Sequence, residues 1–74
     1  VMAVDYKTNN AVPATPEATP EGILRQMAAY RLALRGIWTD RPVRVAVLWT
    51  QTAELMELPD AVMDKALDQV LAAP

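Results

Sequence analysis

Three prolines within eight residues, Pro13, Pro16 and Pro20, constrain this chain more than any other feature. A proline ring fixes φ and removes a backbone N–H, so the connector at 9–19 can be neither a regular helix nor a central strand. The segments on its two sides must therefore be separate elements that meet only through tertiary packing. Before it, "VMAVDYKT" at 1–8 reads as a strand, with Asn9-Asn10 breaking it. Met2, Val4 and Tyr6 would share one face, and Val1, Ala3, Asp5 and Lys7 the other. Within the connector, "ATPE" occurs twice, at 14–17 and 18–21. Each copy offers an N-cap threonine, a first-turn proline and a first-turn acid.

The second copy is expected to start a helix at 20–36, capped by Thr19 and stopped by Gly36. Ile23, Met27, Tyr30, Leu34 and Ile37 fall on one apolar stripe. Arg31 and Arg35 lie off that stripe, on a face read as solvated, with contact to a phosphate backbone as the alternative. "TDRP" at 39–42 is a turn. "VRVAVLW" at 43–49 is the clearest strand, with Val43, Val45, Val47 and Trp49 on its core face. "TQT" makes a tight connection to a shorter antiparallel strand at 53–58. Pro59 then opens a helix over 59–72, whose stripe is Val62, Met63, Ala66, Leu67, Val70 and Leu71. Asp60, Asp64 and Asp68 form an acidic ridge on that helix, read as solvated. The order is β-α-β-β-α, a mixed α/β class in a single small unit.

Composition narrows the chemistry. The 74 residues contain no histidine and no cysteine, which excludes imidazole acid–base catalysis, zinc-finger ligation and disulfides. No apolar run reaches the ~20 residues that span a bilayer, and no leader is visible, so the expected compartment is the cytoplasm. The net charge of −2 disfavours a free-standing nucleic-acid binder. Cations nonetheless gather between Arg25 and Arg44, and acids between Glu54 and Asp68. The chain begins with Val inside a strand-like run, which points to a piece of something longer.

Asp5 and Lys7 would project side by side from the first strand. Buried charges need a partner, so this is either a plain ion pair at a strand end or the edge of an active site. A carboxylate is a hard ligand suited to magnesium. A neighbouring lysine can hold a water and offset charge on a phosphate. Gln26 and Tyr30, one helical turn apart, share a face of the first helix. Either Tyr30 is core and Gln26 bonds a nearby backbone, or the two serve the Asp5–Lys7 strand.

"VDYKTN" at 4–9, with "LRQMAAYRLAL" at 24–34 beyond the connector, resembles the RecB-like branch of the PD-(D/E)xK nuclease superfamily. The likeness is closest to the C-terminal end of AddA-type helicase–nucleases, which process double-strand DNA breaks, and it covers nearly the whole chain. It implies that Asp5 and Lys7 are catalytic, with Asp5 a magnesium ligand, and that Gln26 and Tyr30 stand for the Q-x-x-x-Y motif beside them. It also implies DNA as substrate, ATP consumed by helicase domains, and a second helicase–nuclease subunit. The family's further acidic ligand, in a G-x-[IV]-D context, and its phosphate-binding loop do not occur in this sequence. An isolated chain of this kind is expected to lack cleavage activity. It is also expected to self-associate through the edge and apolar face of the first strand. The alternative function is a non-catalytic protein-interaction module that keeps the nuclease fold.

Overall fold

The computed structural model describes residues 1–8 and 11–72, so the expected strand break at Asn9-Asn10 lies outside the described residues. The chain is a small mixed α/β domain with a three-stranded mixed sheet and two helices. Strand β1 spans Met2–Lys7, helix α1 Glu21–Ile37, strand β2 Arg44–Trp49, strand β3 Glu54–Leu58 and helix α2 Asp60–Ala72. The sheet order is β1-β2-β3, with β1 parallel and β3 antiparallel to the central β2. The parallel pair follows from the connector: strands joined through a helix can run the same way, whereas the short link after β2 forces a hairpin.

The register sorts every strand residue onto one of two faces. Ala3 stands opposite Val45, Asp5 opposite Val47 and Lys7 opposite Trp49. Across the hairpin, Leu58 faces Val45 and Met56 faces Val47. Both helices cover this side. Met27 and Ala28 of α1 and Met63 and Ala66 of α2 are buried with Val45, Val47, Trp49 and Leu58 in one core. On the other side Met2, Val4, Tyr6 and Leu55 are exposed, and only the small, central Ala46 is buried. Arg44 forks onto Glu57 across this open face. That hydrogen bond holds the Glu57 carboxyl below its usual range, against a smaller opposing push from burial. The pair's small contribution is therefore present at neutral pH and is lost as pH falls through the lowered Glu57 value.

Several local expectations change. Thr19 does not cap α1. It is buried, and its hydroxyl donates to Met56 Sδ at 3.9 Å, which ties the connector to β3. The α1 N-cap residue is Pro20, whose carbonyl accepts from Ile23 and Leu24. The first Thr-Pro-Glu copy also coils, as a single 3-10 turn at Pro16–Ala18. Gly36 does not stop the helix, which continues to Ile37 and closes when the Trp38 N–H donates to Leu34. The buried side of α1 is rotated from the expected stripe. Met27, Ala28 and Arg31 are buried, while Tyr30 and Ile37 are exposed.

Arg31 is the main correction. It is 1% exposed rather than solvated. Its guanidinium donates to Asp60 Oδ1 at 3.0 Å and to Asp64 Oδ1, clasping α1 to α2. All three acids of the ridge are exposed as expected, but two of them, Asp60 and Asp64, also pair with Arg31, and Asp68 alone of the three has no part in that clasp.

The link between β2 and β3 holds Ala53 at φ 56°. A side chain in this left-handed region is strained by about 1–2 kcal/mol, and a glycine there is not. Ala53→Gly is therefore expected to stabilise the chain by about 0.5 kcal/mol once the glycine's extra unfolded-state entropy is subtracted. A denaturant midpoint that falls instead would show that Ala53 is relaxed.

Candidate functional site at the end of the first strand

Period-two geometry puts Asp5 and Lys7 on the inward face of β1, where α1 crosses. Lys7 Nζ lies 2.9 Å from Asp5 Oδ2. It donates to Gln26 Oε1 at 3.0 Å, and Gln26 Nε2 donates to Tyr30 Oη at 3.0 Å. The four residues expected to act together are thus contiguous, although Lys7 and Gln26 are 19 positions apart in the sequence.

Each bond restrains the next. Both ends of the Gln26 amide are engaged, and flipping it would set an NH2 against the ammonium and break the bond to Lys7, which can only donate. Gln26 is therefore a directional tether for Lys7, and Tyr30 braces the tether. Tyr30 is 45% exposed, and because its Oη accepts from Gln26 its own phenolic proton is free to donate elsewhere. The backbone is pinned as well. The Lys7 carbonyl accepts from Thr50 N at 3.0 Å and from Thr50 Oγ1 at 3.1 Å. Sequence reasoning missed Thr50; a hydroxyl directly after a strand parallel to β1 was the available signal.

Asp5 Oδ2 is buried. Its contact with the ammonium is close but not angled as a hydrogen bond, so Oδ2 holds an ion contact without a directed donor. The Asp5 side chain is 30% exposed, which leaves Oδ1 as the oxygen an external ligand can reach. Beneath the site, Trp49 is fully buried and its indole N–H has no partner among the described residues.

Lys7 and Trp49 end a parallel strand pair, and ligands of open α/β sheets gather outside the carboxyl ends of parallel strands. Neither the groove lined by Thr19, Leu24 and Ala66 nor the one lined by Arg35, Arg41 and Arg44 includes Asp5, Lys7, Gln26 or Tyr30. No cluster of three or more His, Cys, Asp or Glu side chains able to hold a metal occurs among the described residues. Asp5 can fill one corner of a magnesium shell, which takes about six oxygens. No described helix is long and apolar enough to cross a membrane.

Comparison with known proteins finds no family model, no curated protein and no solved structure that matches this chain.

Proposed function

We propose that this chain supplies part of the catalytic centre of a magnesium-dependent DNA nuclease of the RecB-like PD-(D/E)xK type, working within an ATP-dependent helicase–nuclease that processes double-strand breaks. One observation carries the reading: the ammonium of Lys7 is held between Asp5 and Gln26, uniting two motifs that are distant in sequence. A tethered ammonium beside a carboxylate suits phosphodiester hydrolysis. Lys7 would donate to a phosphoryl oxygen or hold the attacking water. Gln26, braced by Tyr30, would keep it aimed. Asp5 would orient Lys7 through Oδ2 and present Oδ1 to magnesium, which supplies charge stabilisation at the phosphoryl group. The remaining ligands, the ATP-driven domains and the second subunit would come from outside this chain.

In the protein that carries this segment, Lys7→Ala is expected to lower DNA cleavage by about a hundredfold or more, with ATP-driven unwinding unchanged. Cleavage that persists at the original rate removes the assignment. The chain alone is expected to leave linear DNA intact in magnesium.

A second reading is an interaction module without chemistry. It is favoured by the bare side of the sheet, where Met2, Val4, Tyr6 and Leu55 are exposed. Under it, Lys7→Ala is silent, and Tyr6→Asp disrupts assembly with a partner or a second copy.

A further inference from the structure

Four of the chain's seven cationic side chains line one groove, of about 380 Å³, at the end of the sheet where β2 begins. They are Arg31 and Arg35 from α1, Arg41 from the turn, and Arg44 from β2. Lys7 lies level with Trp49, five residues further along β2, so the groove is about 17 Å from the Asp5–Lys7 site.

The four arginines differ in what they have left to offer. Arg31 is already engaged by Asp60 and Asp64, and Arg44 by Glu57. Arg35 stands 3.7 Å from Asp60 and Arg41 3.9 Å from Asp40, both beyond hydrogen-bond reach. These two guanidiniums keep their donors. Arg41 is also steadied, with its guanidinium carbon 5.5 Å from the centre of the Trp38 ring, so less freedom is lost when it binds.

We propose that this groove binds a phosphate group between Arg35 and Arg41, either as the free oxyanion or as a diester of a nucleic-acid strand. One guanidinium fork fills both oxygens of a carboxylate, whereas two forks from different elements call for an anion with more acceptors. Asp40, Glu57, Asp60 and Asp64 balance the four arginines, so the long-range field is weak. Recognition rests on directed donors at short range, and binding is modest and salt-sensitive. The site stands apart from the nuclease reading and does not depend on it.

The test titrates the 74-residue chain with sodium phosphate at constant ionic strength, using sodium chloride as control, and follows backbone amides by NMR. Phosphate is expected to shift amides near Arg35 and Arg41 while leaving those near Lys7 in place. The Arg35→Gln/Arg41→Gln double variant is expected to lose at least about tenfold in affinity, with its melting temperature without phosphate lowered only slightly, because the contacts of these exposed side chains to Asp60 and Trp38 are weak. Arg35→Lys/Arg41→Lys, which keeps charge but not the fork, is expected to bind more weakly than the native chain and more tightly than the Gln variant. A parallel titration with a short single-stranded oligonucleotide identifies the source. Tighter binding than phosphate, lost in the Gln variant, assigns a nucleic-acid strand; equal or weaker binding assigns the free oxyanion. Phosphate shifts no larger than those from chloride, shifts that survive in the Gln variant, or full binding by the Lys variant would each overturn the proposal.

Discussion

Asp60→Ala combined with Asp64→Ala is expected to destabilise the chain by about 3–5 kcal/mol. A domain of this length holds only about 4–11 kcal/mol in total, so the double variant should be largely unfolded at modest denaturant. The size comes from an asymmetry of burial. The Arg31 side chain is 2% exposed, whereas those of Asp60 and Asp64 are 76% and 64% exposed. Removing the acids strands a guanidinium away from water without a counter-charge. Removing the arginine releases two carboxylates that water already reaches. Arg31→Met keeps the packed stem and is expected to cost about 1 kcal/mol or less, in line with apolar replacement of buried ion pairs. Urea denaturation of the two variants decides the matter. Equal losses would mean that contact geometry, rather than desolvation of Arg31, sets the energy of the clasp.

Trp49→Ala should be comparably severe, at about 3–5 kcal/mol. Trp49 is the largest fully buried side chain and sits at the floor of the candidate site. Trp49→Phe is expected to be nearly neutral. It gives up part of the ring's apolar area but also removes an indole N–H that has no partner among the described residues, a buried donor that costs about 1–3 kcal/mol. A large loss in the Phe variant would show that the N–H is satisfied by water and is worth keeping. The same comparison, read through the Lys7 and Gln26 amides, reports whether the floor of the site moves.

The strands were legible because one face is buried and period two then fixes every residue. "VRVAVLW" placed Val45, Val47 and Trp49 inward, and the structure has them there. The helices were less legible because their neighbours decide which side is buried. Tyr30 looked like core by spacing, but its hydroxyl is drawn to Gln26 at the rim. Arg31 looked solvated because its partners lie 29 and 33 residues away. The signal was nevertheless present: Arg31/Arg35 and Asp60/Asp64 are ladders of opposite charge with the same i, i+4 step, which two packed helices can zip together. In the candidate site, the pairs Asp5–Lys7 and Gln26–Tyr30 each follow from local geometry. Their meeting does not, since it depends on how α1 crosses the strand after the proline connector.

The strand that carries Asp5 and Lys7 is held by β2 along one side only, and its outer side chains Met2, Val4 and Tyr6 touch little. Regions with few buried apolar contacts open at a fraction of the global free energy. β1 is therefore expected to open more readily than α1, α2 and the β2–β3 hairpin, which amide hydrogen exchange would read as lower protection at residues 2–7. Its pairing also closes a loop of 42 residues between Met2 and Arg44, an entropic cost that delays the step in folding. The four-residue constellation is expected to share the openings of this edge strand, and anything that adds a strand beside β1 would act on the site by shifting that equilibrium.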